Sequence, residues 1–108
     1  MRRVNEAVRE VLSTHLAEGL KDPRIGFVTV TGVETSPDLR SARVYVSVLG
    51  EARERAEALE GLRSSSGFLQ AQIATELRLK RTPTLAFVYD ESVERGMRIQ
   101  SLIEEAER

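Results

Sequence analysis

From Ala42 to Leu49 the chain reads ARVYVSVL, with Ala42, Val44, Val46 and Val48 alternating against Arg43, Tyr45 and Ser47. Only an extended strand sorts side chains with a period of two, so this run predicts a strand with one buried face. Upstream, from Ile25, the chain is similarly β-branched (IGFVTVTGVET), and Pro37 and Asp38 of the intervening SPD fit a turn. Two such runs joined by a short polar turn form an antiparallel hairpin packed on one side. A third strand, TPTLAFVYD, comes only after a long helical stretch; Leu85, Phe87 and Tyr89 oppose Ala86 and Val88, and Pro83 fits just before it. A crossover of that length allows the second and third strands to run parallel. The expectation is a three-stranded mixed sheet with helices over one face.

Helical periodicity supplies the rest. Over residues 3–20, Val4, Val8, Val11, Leu12, Leu16 and Leu20 recur at steps of three and four, an amphipathic helix that the segment KDPR should end. His15 sits beside that stripe as a boundary packing residue, with no nucleophile or carboxylate motif accompanying it. From Gly50, GEARERAEALEGL starts the next helix, with Glu51 facing Arg55 and Arg53 facing Glu57 at helical spacing. Its apolar line runs Leu59, Leu62, Leu69, Ile73 and Leu77, and a helix in phase throughout would bury Ser66. The helix is therefore expected to bend or break at the serines. Asp90 is a suitable N-cap for a last helix bearing Val93, Met97, Ile99, Leu102 and Ile103. The order is helix, strand, strand, kinked helix pair, strand, helix, in one domain spanning 1–108.

Several function classes lack their residues. The chain has no cysteine, so a disulfide framework and thiolate metal sites are excluded. It has no GxxxxGK[ST], GxGxxG or HExxH motif, no nucleophile–base pair, and no stretch approaching a membrane span. The acids Asp90, Glu91 and Glu94 suit a solvated first helical turn better than a metal site. The expectation is a non-enzymatic cytoplasmic protein without metal or cofactor, and a monomer as the simplest state. The formal net charge is -1, but it is unevenly spread. Residues 61–89 carry Arg63, Arg78, Lys80 and Arg81 against Glu76 alone, whereas residues 90–108 carry six carboxylates against three arginines. One end can meet a polyanion while the other keeps the chain soluble.

The stretch GLRSSSGFLQ, residues 61–70, places two glycines and three serines where helix propensity favours alanine and leucine. A helix that breaks and restarts exposes a fresh N-terminus with free N–H groups. Ser65 or Ser66 can cap that restart, and Gly67 lets a ligand approach the backbone. With Arg63 before it and Arg78, Lys80 and Arg81 at the far end, this is chemistry for a sugar-phosphate backbone. KH domains clamp four nucleotides with a Gly-x-x-Gly loop between two helices, a related arrangement. Close packing of small residues, without a ligand, would explain the same stretch.

RVNEAVREVL, LKDPRIGFVTVTGVETSPDLRSARVYVSVLG, SSGFLQAQIATELRLKRTP and FVYDESVERGMRIQSLI together resemble the ribosome-binding factor A family, in its order and over nearly the whole chain. The resemblance implies an α+β fold, a single KH-like domain of the bacterial type in which an Ala-x-Gly kink replaces the Gly-x-x-Gly loop. Here that triplet is Ser65-Ser66-Gly67, with serine for alanine, and Thr84 stands where many relatives carry glutamate. The sequence also ends without the longer C-terminal tail of some members. The family implies binding to the free, immature small (30S) ribosomal subunit and its 16S rRNA, assistance to late maturation including processing of the RNA's 5′ end, and a role in growth at low temperature. The expected contact is Arg63, Ser65, Ser66, Gly67, Arg78, Lys80 and Arg81, with Lys21 and Arg24 secondary; Pro23 and Gly26 are structural. Arg43 and Tyr45, on the solvent side of the second strand, could also touch RNA or protein. The competing reading is a protein-interaction module that docks on ribosomal proteins through its acidic C-terminal helix.

Overall fold

A computed structural model of the chain describes residues 2–20 and 22–92. Its elements are α1 (Arg2–Glu18), β1 (Val28–Thr35), β2 (Ser41–Val48), α2 (Ala52–Ser64), α3 (Ser66–Leu77) and β3 (Thr84–Tyr89). The expected C-terminal helix with Val93, Met97, Ile99, Leu102 and Ile103 lies outside the described residues, as does Lys21. Asp90 does accept a bond from the Ser92 N–H at 2.9 Å, as an N-cap would.

The sheet is mixed, in the order β1-β2-β3, with β1 antiparallel to β2 and β2 parallel to β3. The alternation of β2 sets its register, because a slip of one residue would turn every valine to solvent. Val44 and Val46 are fully buried, while Arg43 opposite Glu34 and Tyr45 opposite Gly32 occupy the other face, which stays open among the described residues. On the covered face Val8, Leu12, Leu62, Leu69 and Ile73 have no exposed surface and close one core between the three helices and the sheet. Removing the side chain of such a residue costs about 2–5 kcal/mol.

Two boundaries differ from the sequence reading, and the hairpin carries a bulge. First, α1 ends at Glu18 rather than running to Leu20, because Gly19 takes φ +89°, the left-handed conformation that closes a helix before Pro23 is reached. Leu20 still packs against the core from outside the helix. Second, β1 starts at Val28, not Ile25. The N–H of Ile25 bonds the Asp22 carbonyl at 3.1 Å, so this residue belongs to the turn. The β1–β2 pairing also shifts register between Val30 and Gly32, a bulge that leaves Thr31 to donate its hydroxyl to the Asp90 carboxylate at 2.5 Å, with the Tyr45 carbonyl 3.3 Å away.

Candidate nucleic-acid interface

The long helix does break, at Ser65. That residue has φ -91° and ψ 0°, the bridge region between helix and strand, and its N–H is shared between the carbonyls of Gly61 (3.0 Å) and Leu62 (3.1 Å). Leu62 and Leu69, seven positions and about two turns apart, both reach the core, while Ser66 between them is only partly buried. The serines do not cap the restart as expected. An N-cap side chain reaches the next turn only from an extended backbone, and at ψ 0° Ser65 makes no such bond. The Ser66 hydroxyl turns backward and donates to the Arg63 carbonyl at 2.8 Å.

The two glycines have different reasons to be there. A Cβ on Gly61 would lie 2.7 Å from Cγ1 of Ile25 and 3.3 Å from the Asp22 carboxyl, so α2 and the KDPR turn meet where only hydrogen fits. A Cβ on Gly67 would meet nothing within 4 Å. Close packing explains the first and leaves the second to the surface.

The Gly61 seam is fastened by charge. Arg24 donates from Nε to both oxygens of Asp22 (3.0 and 3.2 Å) and from Nη2 at 2.6 Å, and it also reaches Glu60 at 3.3 Å and the Ser64 hydroxyl at 3.1 Å. The Arg24 side chain, followed by its backbone N–H, holds the Asp22 carboxyl down at about 2. Arg24 thus stands beside the kink, but in an ion pair with Asp22 and Glu60.

Arg63 crosses to the other flank. Its Nη2 is 3.4 Å from the Phe87 carbonyl on β3, and Gln70 accepts from the Leu85 N–H at 3.5 Å. The two side chains cover polar groups along β3, an edge strand. Arg78, Lys80 and Arg81 lie at the opposite end of α3 from the kink, about 18 Å away at 1.5 Å per residue. All three are exposed, and none forms an ion pair among the described residues. Arg78 itself ends α3 in the left-handed conformation, φ 50°. The Thr84 N–H bonds the Arg40 carbonyl at 2.9 Å, which brings Arg40 of the β1–β2 turn to the same end. Asp38 is the carboxylate nearby: Ser36, the Arg40 N–H and, more weakly, Arg81 lower its pKa, and Arg40 lies 3.7 Å from it.

The structure therefore brings Ser65, Ser66 and Gly67 together with Arg63 on one side and Arg24 on the other, and sets Arg78, Lys80 and Arg81 apart with Arg40. Arg43 and Tyr45 form a third group with Glu34 on the open sheet face (3.3 Å to the Tyr45 hydroxyl, 3.7 Å to Glu34). Sequence reasoning missed Arg40, which only the topology connects to Arg81. It also missed Phe68, half-exposed beside the kink; its position one residue off the Leu62–Leu69–Ile73 line was the available signal. No group of side chains able to hold a metal ion occurs among the described residues, and no helix there is long and apolar enough to cross a membrane.

Comparison with known proteins agrees with this architecture. The family model described as ribosome-binding factor A matches residues 1–103. Ribosome-binding factor A of Anaeromyxobacter sp. (strain K) is 57% identical over 105 residues, covering 96% of this chain and 76% of that one. The crystal structure of ribosome-binding factor A from Thermus thermophilus superposes with a TM-score of 0.71 at 28% identity, over 82% of this chain and 93% of that one. A homology model of the Thermus thermophilus protein, fitted into the cryo-EM map of a complex with the 30S subunit, gives a TM-score of 0.60 at 32% identity, over 79% and 93%.

Proposed function

The chain belongs to the ribosome-binding factor A family, and from that premise we propose that it is a non-enzymatic assembly factor of the cytoplasm that grips the 16S rRNA of the free small subunit. It acts as a monomer. The observation that carries this reading is the end of α3, where Arg78, Lys80 and Arg81 are exposed without an ion pair among the described residues, and where Arg81 and Arg40 both act on the Asp38 carboxylate, in a chain of net charge -1. Exposed, weakly compensated cations suit phosphates, and the bent backbone at Ser65–Gly67 with Arg63 offers a second contact about 18 Å along α3. The 30S complex into which the Thermus thermophilus protein was fitted supports the choice of partner.

Such a protein helps maturation without making or breaking bonds. By binding one conformation of an incompletely folded RNA more tightly than others, it shifts the population toward that conformation. Processing of the 16S rRNA 5′ end then follows from presenting the precursor in a cleavable arrangement.

The test is a salt titration of binding to free small subunits. Each neutralised phosphate contributes a slope of roughly -0.7 to -0.9 in log K against log salt, so three or four contacts give roughly -2 to -4. A flat response would favour docking on ribosomal proteins instead. Purified protein incubated with precursor rRNA is expected to show no turnover.

A further inference from the structure

We propose that the cleft on the α1 side of the kink receives one unpaired nucleobase, stacked on the ring of Phe68. The proposal rests on the RNA-binding reading above and adds which part of the RNA is held at this place. The cleft has a volume of about 560 Å3 and is walled by Gly19, Leu20, Asp22, Ser64, Ser65 and Phe68. That size is ordinary for a small-molecule site.

Phe68 is 50% exposed, and its ring is braced by a neighbour. The imidazole of His15 packs against it in a T-shaped contact, with centroids 5.8 Å apart. His15 is in turn anchored by Glu76, 2.8 Å from its Nε2. A half-exposed aromatic ring braced in place is the kind of platform on which single-stranded RNA stacks a splayed base. His15 is thus a positioning residue for Phe68.

Charge is balanced along the described walls. Asp22 is paired with Arg24, and Arg24 also faces Glu60, so the described walls hold no uncompensated cation. The cleft suits a neutral, planar group. Its polar groups then favour a base over an aliphatic side chain from a protein. The Ser64 hydroxyl accepts from Arg24 and keeps its own hydrogen to donate. Ser65 makes no capping bond, so its hydroxyl is available to the edge of a base. An aliphatic occupant would desolvate both hydroxyls without replacing their bonds to water.

The experiment measures binding of the full chain to free small subunits and, separately, to protein-free 16S rRNA. Phe68→Ala is expected to weaken both by about tenfold, with an unchanged salt slope because no charge is removed. Phe68→Tyr should restore binding. Ser65→Gln, which fills the cleft and leaves Phe68 in place, should reproduce the loss, so the test does not depend on Phe68→Ala folding well. Wild-type affinity for Phe68→Ala on both targets, alongside weakened binding of Arg78→Glu/Lys80→Glu/Arg81→Glu, overturns the cleft and leaves the RNA-binding reading intact. A loss on subunits but not on protein-free RNA gives the cleft to a ribosomal protein and overturns the proposal. Failure of the wild-type chain to bind protein-free RNA brings down the RNA-binding reading and the cleft with it.

Discussion

Two short basic segments, KDPR at 21–24 and RLKR at 78–81, look alike in sequence and meet opposite fates in the fold. In the first, Pro23 turns the chain so that Arg24 folds back on Asp22 two residues earlier, and α2 adds Glu60; the guanidinium becomes part of a seam. In the second, Arg78 ends α3 in a left-handed turn and Lys80 and Arg81 stay at the surface, with Asp38 as the nearby carboxylate. Counting cations along a chain overstates the charge offered to a polyanion. An arginine with an acid at turn spacing is already engaged, whereas one carried past a helix end is not.

The sharpest way to break this contrast is to invert the second segment. Arg78→Glu/Lys80→Glu/Arg81→Glu is expected to weaken binding to the small subunit by more than a hundredfold and to reduce the salt slope by roughly two to three. The melting temperature should change little, because surface charges without close partners contribute little to stability. Normal binding by the triple variant would remove the α3 end from the interface.

The seam is tested through its glycine. Gly61→Val forces a branched side chain toward Ile25 and Asp22 and should destabilise the fold by about 1–3 kcal/mol in urea titrations. Gly67→Ala, six residues along the same helix pair, meets nothing and should stabilise it by about 0.5–1 kcal/mol. Equal effects at the two positions would mean that the kink, rather than the seam, governs both.

These outcomes also mark what the sequence can disclose. The hairpin was legible because alternation in β2 has one structural meaning, and the broken helix because an unbroken one would carry Ser66 on the buried stripe between Leu62 and Leu69. The different duties of Gly61 and Gly67 were not legible. Both stand in helical surroundings, and only the approach of Ile25 from a turn far away in sequence separates them. The serines misled for a local reason: capping depends on ψ at Ser65, which the packing of two helices sets and residue type does not. Arg40 joins Arg81 through the start of the parallel β2–β3 ladder, a contact without a short-range signature. Side-chain chemistry was readable, and the company each side chain keeps was readable only where the partner lies within a few residues.

The smallest expected effect probes the Asp22–Arg24 pair through pH. Asp22 titrates at about 2 in the folded chain against an ordinary value of 3.8. A depressed carboxylate contributes stability that is present above its unfolded pKa and lost as pH falls through the folded one. The urea midpoint of the wild-type chain should therefore fall between about pH 4 and pH 2, with Asp38 and Asp90, also lowered, adding to the decline. In Arg24→Gln the principal cause of the Asp22 shift is gone, so the variant starts lower at pH 5 and declines less steeply. Its salt slope for RNA should match the wild type, because the guanidinium it removes was already neutralised by Asp22 and Glu60. If Arg24→Gln instead lowers the slope by nearly one, as loss of a phosphate contact would, then Arg24 leaves its carboxylates when RNA arrives and the two basic segments are alike after all.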